Sequence, residues 1–334
     1  MDAVIRMPKV SVIVPVYNTE LYVERAIISL MEQTLDNLQF IIIDDGSKDN
    51  SLNIIQDVIA RYPAREGSVT LISRENLGVA ATRAQGMELA TGNYIIHLDS
   101  DDWAEPEWLE KLYSKAIDEN SDIVICNYNA VYENKINAVT MPPDKTGALC
   151  LKQLLCDKQR GYTWNKLIHR RIFSRIGDPF IQGINYLEDL LYIMKCFYLS
   201  QRISYVPDYL YNYNQQNLIS ITKGMSDSKV EDIKKTTTFI SNFINSHELS
   251  QSLNKEMMFF KIKQKTFLIY GQWQWVKKDI WTLFPETEPF ILTSPVPIHF
   301  KISLLAAKLK LYKTSSLLMS ILVRIKFIIK KVSF

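Results

Sequence analysis

The chain contains little cysteine and little histidine. Its 334 residues include 4 Cys and 4 His, and the cysteines at 126, 150, 156 and 196 form no C-x-x-C pair. A disulfide framework and a structural zinc site are therefore not expected. Scattered free thiols are typical of a reducing compartment, so the sequence predicts a cytoplasmic location.

Long hydrophobic runs are also missing. Met1–Met7 has no apolar core before Pro8, so no secretory signal peptide is expected. No stretch of about 18 uncharged apolar residues occurs, and the sequence therefore predicts no transmembrane helix. With 47% hydrophobic and 22% charged residues, the composition is that of a folded protein with one large or two smaller domains.

Acidic residues are absent after Glu288. Residues 251–334 hold 14 Lys and Arg against 4 Asp and Glu, whereas residues 1–250 hold 25 against 32. We expect a basic amphipathic helix over 300–332 that binds an anionic membrane surface. The alternative is a helix packed on its own domain or in a homodimer, and nucleic acid is not expected because the segment is so apolar. The apolar positions are Leu318, Ile321, Leu322, Ile325, Ile328, Ile329 and Val332.

The glycine-rich phosphate loops of two large nucleotide-binding classes are absent. No G-x-G-x-x-G follows the first apolar run, and no G-x-x-x-x-G-K-[ST] occurs. Dinucleotide-binding enzymes, P-loop enzymes and sugar-nucleotide nucleotidyltransferases are thereby disfavoured. A bound phosphate must be neutralised by a metal ion and by side chains, with Arg74 and Arg83 as the nearest cations.

The first 127 residues contain a regular alternation of two patterns. Short, continuous apolar runs predict strands that are buried on both faces, and the stretches between them predict helices. The pattern predicts an α/β fold with a doubly wound, mostly parallel sheet. The expected strands are 10–14, 40–43, 69–72, 94–98 and 123–126, and the expected helices are 20–33, 50–62, 77–91 and 106–119.

The alternation ends near residue 128. We divide the chain into a domain at 1–223, with one half at 1–127 and a second half at 128–223, and a helical C-terminal region at 224–334 that ends in the basic tail 300–334. The expected elements are an irregular or hairpin segment at 128–147, helices at 164–176 and 185–200, two short strands within 202–214 joined at Pro207–Asp208, and helices within 226–284 broken near Gly271.

Polar side chains follow four successive predicted strands. Ligands bind to such sheets beyond the carboxyl ends of the strands. The predicted sheet alone, without any motif, therefore places a candidate site at this edge. The polar segments are Tyr17–Asn18, Asp44–Ser47, Arg74–Gly78 and Asp99–Asp102.

Asp99 and Asp101 are candidate metal ligands. Residues two apart at the end of a strand point the same way. Paired carboxylates repel unless a hard cation such as Mg²⁺ or Mn²⁺ lies between them. The alternative is an acidic turn in which Asp102 or Glu105 caps the helix that begins near Pro106.

Together these segments closely resemble the family 2 glycosyltransferases of the GT-A fold. The resemblance covers residues 9–127 almost without a gap, with four motifs in order at the family's spacing. They are Pro15-Val16-Tyr17-Asn18, Ile43-Asp44-Asp45-Gly46-Ser47 with Asp49-Asn50-Ser51, Asn76-Leu77-Gly78 with Arg83 and Gly86, and Gly92-Asn93-Tyr94 leading to Asp99-Ser100-Asp101-Asp102.

The resemblance implies inverting transfer of a sugar from a nucleotide-diphosphate donor, expected to be a UDP-sugar. It makes 1–223 the catalytic domain, with 1–127 as its nucleotide-binding half and 128–223 as its acceptor half. Val16 and Tyr17 would lie against the base, and Asp45 would hydrogen-bond its imide edge. Asp99 and Asp101 would hold Mn²⁺ or Mg²⁺ against the diphosphate, which Arg83 would approach. The motifs also assign Pro15, Asn18, Asn76, Gly78 and Ser100 to the donor site, whereas a purely turn-forming role stays open for Asp44 and Gly46.

An inverting enzyme needs a base for the acceptor hydroxyl. In the family this base is a carboxylate that opens a helix in the second half, often within Glu-Asp. Glu188-Asp189 lies between apolar residues, where burial raises a carboxyl pKa. We expect Asp189 to be the base and Glu188 to orient it or the acceptor; the alternative is an N-terminal helix cap.

Two further segments resemble parts of the family. Trp164-Asn165-Lys166-Leu167 is similar to a segment of its bacterial branch, which implies that Lys166 pairs with donor phosphate; an exposed lysine beside a buried tryptophan is the alternative. Tyr209–Tyr213 and Ser220-Ile221-Thr222 resemble its end-of-domain strand and mobile loop. Relatives often carry Arg or His there, so the third contact to metal or diphosphate is unassigned in this chain, which has Asn212, Asn214, Gln215 and Gln216.

Two classes of function follow. The first is an active transferase of bacterial polysaccharide synthesis, peripheral on the inner face of the membrane, that extends a glycan or lipid-linked glycan. It would add one sugar per encounter, because Gln272-Trp273-Gln274-Trp275 does not match the Q-x-x-R-W motif of the family's processive synthases. The second is an inactive nucleotide-sugar binding or scaffolding protein. Intact Asp45, Asp99, Asp101 and Asp189 favour the first class.

Overall fold

Two compact units make up the chain in the computed structural model, which describes residues 7–217, 224–272 and 276–321. The first unit comprises Met1–Leu154 and Lys158–Ser220, and the second comprises Leu155–Asp157 and Ile221–Phe334. The domain boundary that we predict after residue 223 lies at the end of the undescribed stretch 218–223 and stays a prediction.

Four parallel strands form one half of the sheet in the first unit. β1 (Val10–Val16) pairs with β2 (Leu38–Asp44) on one side and with β4 (Tyr94–His97) on the other, and β3 (Val69–Ser73) lies beyond β2. Val12 and its neighbour Ile13 are both fully buried, so both faces of β1 are covered. This burial explains the continuous apolar runs, and these predicted strands are confirmed.

Helices follow the strands of this half, as predicted. In α1, Val23, Ala26, Ile27 and Leu30 are buried at helical spacing, which forms the apolar stripe of an amphipathic helix. The helices are α1 (Val23–Met31), α2 (Ser51–Arg61), α3 (Pro63–Glu66), α4 (Val79–Leu89) and α5 (Trp108–Asp118).

The other half of the sheet mixes strand directions. Its strands are β5 (Trp103–Ala104), β6 (Ile123–Tyr132), β7 (Lys135–Val139), β8 (Lys166–His169) and β9 (Ile203–Asn214). The order is β3-β2-β1-β4-β8-β6-β9-β5, and β7 pairs with β6. β8 is antiparallel to both of its neighbours, whereas β6 and β9 are parallel. The helices here are α6 (Gly147–Leu155), α7 (Arg170–Ile176) and α8 (Glu188–Leu199).

Two element predictions in this half are wrong. Residues 164–176 are not one helix, because Leu167 and Ile168 are buried in β8 between β4 and β6, and α7 begins only at Arg170. Residues 203–214 form one strand, whose register with β6 passes over Pro207–Asp208. The β6–β7 pairing confirms the hairpin alternative for 128–147.

The second unit is helical in its described part. Its elements are α9 (Asp227–Ser246), α10 (Ser250–Gly271), α11 (Lys278–Thr282), a 3₁₀ helix (Pro285–Phe290) and α12 (Ile298–Lys308). α10 ends at Gly271, which confirms the predicted break.

The predicted helix 300–332 is interrupted at Lys310, where φ is 62°, and helical residues resume at 312–321. The rest of the predicted tail, 322–334, lies outside the described residues, as do Ser220–Thr222 and Trp273–Trp275. No helix in the described ranges combines the length and apolar character needed to cross a membrane.

Candidate active site

The loops after β1, β2 and β4 are tied together by hydrogen bonds. Asn18 donates its backbone N–H to Ser47 Oγ at 3.0 Å and accepts from the Lys48 N–H through Oδ1 at 2.7 Å. Thr19 Oγ1 donates to Ser100 Oγ at 3.1 Å. The carboxyl ends of these strands therefore carry loops whose positions are set by one another, at the edge where the sequence predicts the donor site.

Asp45 is buried and already holds three donors. Its carboxylate accepts from the N–H groups of Leu77 at 2.9 Å and Gly78 at 2.8 Å, and it forms an ion pair with Arg74 at 2.7 Å. We name this group, Asp45 with Arg74, Leu77 and Gly78, the Asp45 pocket. It joins the loop after β2 to the loop after β3.

The structure explains why the third motif has glycine at position 78. Gly78 has φ of 89°, and a Cβ on it would clash with the Asn185 side chain. Both the backbone conformation and the close approach therefore require glycine at this position.

The remaining predicted donor-site residues differ in exposure. Val16 is buried at the end of β1 and Pro15 is partly buried, whereas Tyr17 is half-exposed and Asn76 is exposed. The side chains of Tyr17 and Asn76 are thus accessible, and Val16 supports the sheet from within. Their predicted contacts with the nucleotide stay predictions.

Asp102 is a structural residue of the acidic segment. It is fully buried, and it accepts from the Tyr211 hydroxyl at 2.8 Å and from the Asn214 N–H at 2.7 Å. Tyr211 Oη in turn accepts from the Asp99 N–H at 3.1 Å. Burial and the charge of Asp101 raise the pKa of Asp102 well above its usual value. These bonds fix the acidic segment against β9. The N-cap of α5 is Glu107, and its side chain makes no capping hydrogen bond, so the predicted alternative in which Asp102 or Glu105 caps this helix is wrong.

Asp101 is placed where added positive charge is favourable. Its Oδ2 accepts from Asn217 Nδ2 at 2.8 Å, and its pKa is raised by burial and by the neighbouring charge of Asp99. Two crowded carboxylates are the oxygen ligands that a hard divalent cation prefers. The described residues contain no set of three or more His, Cys, Asp or Glu that could hold a metal, so a cation here would need further ligands.

Arg83 joins the two halves of the first unit. This buried side chain forms ion pairs with Asp99, at 2.7 Å, and with Glu188 at the start of α8. Burial opposes its charge, but the two carboxylates outweigh burial and raise the pKa of Arg83. We name Arg83, Asp99, Glu188 and Asp189 the carboxylate cluster. The predicted contact of Arg83 with donor phosphate stays a prediction.

The Glu188-Asp189 pair opens α8 under backbone strain. Leu187, the N-cap, has φ of 66° in the left-handed region, which costs a non-glycine residue about 1–2 kcal/mol. Burial raises the pKa of Glu188 and raises that of Asp189 to about 6, although the Arg83 charge opposes both shifts. The N-cap alternative is wrong for both acids, because they lie within the first turn of the helix.

Lys166 is fully buried in β8. Its Nζ donates to the Tyr162 carbonyl at 2.9 Å and to Asn165 Oδ1 at 2.8 Å. Burial lowers the pKa of Lys166 to about 7, and the charge of Asp189 opposes that shift. The alternative of an exposed lysine is therefore wrong, and the predicted pairing with donor phosphate stays a prediction.

Sequence reasoning missed the supporting role of β9. Trp164 stacks on Tyr211 at 4.3 Å and on Tyr162 at 4.7 Å between ring centroids. Tyr211 Oη accepts from the Asp99 N–H, and the Asn214 N–H donates to Asp102. Just after β9, Asn217 Nδ2 donates to Asp101. The tyrosine-rich pattern was visible in the sequence, but these contacts depend on strand pairing over more than 100 residues of chain.

Comparison with known proteins identifies the family of the chain. The sequence pattern of glycosyl transferase family 2 matches residues 11–177, half of the chain. EpsH of Bacillus subtilis, a protein assigned as a glycosyltransferase, is 31% identical over 274 residues that cover 80% of this chain and 78% of EpsH. A cholesterol galactosyltransferase of Borreliella burgdorferi is 31% identical over 241 residues, covering 68% of this chain and 65% of that protein.

Solved structures share the fold. TarS 1–349 of S. aureus in complex with UDP-GlcNAc matches with a TM-score of 0.70 at 18% identity, over 93% of this chain and 90% of that one. The mannosyltransferase PcManGT of Pyrobaculum calidifontis, in complex with GDP-Man and Mn²⁺, matches with a TM-score of 0.56 at 16% identity, over 96% and 86%. The predicted GT-A fold and glycosyltransferase class are confirmed. On its family match and its similarity to EpsH, the chain belongs to glycosyl transferase family 2.

Proposed function

We propose that this chain transfers one sugar from a nucleotide-diphosphate sugar, with a UDP-sugar as the favoured donor, to a hydroxyl of a glycan or lipid-linked glycan in bacterial polysaccharide synthesis. The anomeric carbon is inverted. The observation that carries the proposal is the double ion pair of Arg83 with Asp99 and Glu188. It links the strand edge expected to hold the diphosphate to the helix that carries the candidate base, Asp189.

The proposed site for the nucleotide base combines an exposed aromatic ring with a buried carboxylate. Tyr17 offers a half-exposed aromatic face for stacking. Asp45 Oδ2 accepts one hydrogen bond, from the Gly78 N–H, so a second lone pair is available for an imide N–H. A complex of TarS with UDP-GlcNAc and one of PcManGT with GDP-Man support a nucleotide-diphosphate sugar without deciding the base.

Asp99 and Asp101 would hold Mn²⁺ or Mg²⁺. The raised pKa of Asp101 beside Asp99 supports this assignment, because a cation between the two carboxylates relieves their repulsion. The bound cation would supply positive charge that neutralises part of the diphosphate. In PcManGT, Mn²⁺ accompanies GDP-Man.

Asp189 would act as the general base. The acceptor oxygen bonds to the anomeric carbon as its proton passes to Asp189. The bond between the anomeric carbon and the diphosphate oxygen breaks, and its electron pair stays on that oxygen. Asp189, with a pKa of about 6, is ionised at neutral pH and is basic enough to accept that proton. Glu188, paired with Arg83, would position the base.

The proposal is tested by a donor screen followed by product analysis. UDP-, GDP-, dTDP- and CMP-sugars are each added with Mn²⁺, and the unfolding temperature is measured. We expect sugars of one nucleotide, UDP, to raise it, and NMR of the product formed with that donor to show inverted configuration. Stabilisation by another nucleotide would correct the donor, and a product of retained configuration would reject the Asp189 mechanism.

A further inference from the structure

The outward side of α12 carries an apolar row. At about 3.6 residues per turn, Ile298, Ile302, Leu305 and Leu309 fall on one side of this helix and its C-terminal cap. Ile298 is 68% exposed, Ile302 51% and Leu309 71%, and Leu305 is half-buried. We name these four residues the outer face of α12.

The opposite side of α12 is already used for folding. Phe300, Ser303, Leu304 and Ala307 are buried, and on a helical wheel they are centred about 180° from the outer face. The helix therefore needs only one of its two apolar sides for the second unit. An amphipathic helix of a free-standing domain normally presents polar residues on its outward side. The outer face is therefore expected to contact another surface.

The charged residues of α12 and of the short segment after it, 298–313, are all lysines. Lys301, Lys308, Lys310 and Lys313 lie on or just after α12, and no acidic residue follows Glu288. Glu288 forms an ion pair with Lys308 at 3.6 Å. Lys310 and Lys313 are exposed. The surface thus combines exposed Ile and Leu with the positive charge of Lys310 and Lys313, whereas Lys308 is paired with Glu288.

We propose that the outer face of α12 binds an anionic lipid bilayer, with its Ile and Leu side chains inserted at the headgroup level and the lysines at lipid phosphates. Apolar burial and attraction to anionic lipid are the two contributions that hold interfacial helices. A second copy bound through the same face would bring the same lysines together across a two-fold axis. Nucleic acid would leave the apolar row in water. Charge complementarity therefore selects the membrane.

Lipid binding by the outer face of α12 is separate from the proposed reaction and does not depend on Asp189. The contact surface also differs from the predicted one, because the apolar row begins at Ile298, before the predicted tail, and lies on a helix packed in the second unit. Most of the tail positions that we expect to be apolar lie outside the described residues.

The test is flotation of the full chain with liposomes of phosphatidylcholine alone or with one quarter phosphatidylglycerol. The triple variant Ile298→Ser, Ile302→Ser and Leu309→Ser removes the row. A matched triple variant, Ile117→Ser, Ile136→Ser and Leu149→Ser, changes exposed apolar residues of the first unit. Unfolding curves of both variants establish that they are folded.

We expect the wild type and the matched variant to float with the anionic liposomes only, and the outer-face variant to bind at least tenfold more weakly. Lys310→Gln with Lys313→Gln should weaken binding about fivefold per lysine, and this loss should shrink at high salt. Asp189→Asn should float like the wild type, so a failed reaction mechanism and a failed membrane site are distinguishable.

Three results would overturn the proposal. The wild type could stay with the unbound fraction at every lipid composition, or both triple variants could lose binding equally. Light scattering could also show a wild-type dimer that the outer-face variant converts to a monomer. In that last case a second copy, rather than lipid, covers α12.

Discussion

Asp45 and Glu188 are buried carboxylates of the same unit, yet their surroundings differ. In the Asp45 pocket, one carboxylate has Arg74 and two backbone N–H groups. In the carboxylate cluster, Asp99 and Glu188 share Arg83, and burial raises the pKa of both Glu188 and Asp189. The pocket pairs one carboxylate with one cation, whereas the cluster holds three carboxylates against one cation. Burial, which the single Arg83 charge opposes only in part, brings the pKa of both carboxyls toward neutrality.

The largest expected effect is the loss of turnover when the carboxylate cluster is changed and the Asp45 pocket is left intact. Asp189→Asn keeps the shape of the side chain but cannot accept a proton, so kcat should fall by about 10²–10⁴-fold. Binding of UDP, measured by calorimetry, should change little because the Asp45 pocket is intact. Asp208→Asn, which alters an exposed ion pair with Lys111, is the matched control and should keep turnover. Near-normal turnover of Asp189→Asn would move the base to Glu188.

Stability should distinguish the two arginines. Arg83→Gln leaves Asp99 and Glu188 without their shared cation, and breaking a buried pair costs about 3–5 kcal/mol. Arg74→Gln leaves Asp45 with the Leu77 and Gly78 N–H groups, so a smaller loss of about 1.5 kcal/mol is expected. Urea unfolding of both variants measures the difference. Equal losses would contradict the contrast between the pocket and the cluster.

Donor binding should depend on Asp101 only when metal is present. Asp101→Ala removes one of the two proposed metal carboxylates, so UDP affinity in Mn²⁺ should fall by about tenfold, or about 1.4 kcal/mol. In EDTA the two proteins should bind UDP alike, because the contacts of Tyr17 and Asp45 remain. Calorimetry with equal UDP affinity for both proteins in Mn²⁺ would reject Asp101 as a ligand.

The smallest expected effect is a dependence of kcat on pH near the pKa of Asp189. Asp189 faces Arg83 and Lys166, whose charges lower its pKa, and Asp99, whose charge raises it; burial dominates and gives a pKa of about 6. The base works when deprotonated, so activity should be full above that value and fall as pH decreases through it. The pH profile of kcat measures this. A profile that stays flat down to pH 5 would show that another group takes the proton.

Local patterns were enough for the first half of the sheet but not for the second. β1, β2 and β4 are buried on both faces, so their sequences are continuously apolar and can be recognised alone. β8 begins with a charged residue, Lys166, and is only four residues long. Its strand conformation depends on pairing with β4 and β6, which a local pattern does not contain. The same reason explains why the local pattern predicts two strands where β9 forms one.

The sequence by itself determined the alternation of strands and helices to residue 127, the acidic and glycine-containing loops at the strand ends, and the family resemblance, because each depends on neighbouring residues. Only the tertiary structure decided that Arg83 pairs with Asp99 and Glu188, that Lys166 is buried, and that Tyr211, Asn214 and Asn217 support the acidic segment. Those contacts join residues far apart in the chain. Their charges and pKa values depend on burial, and burial exists only after the chain has folded.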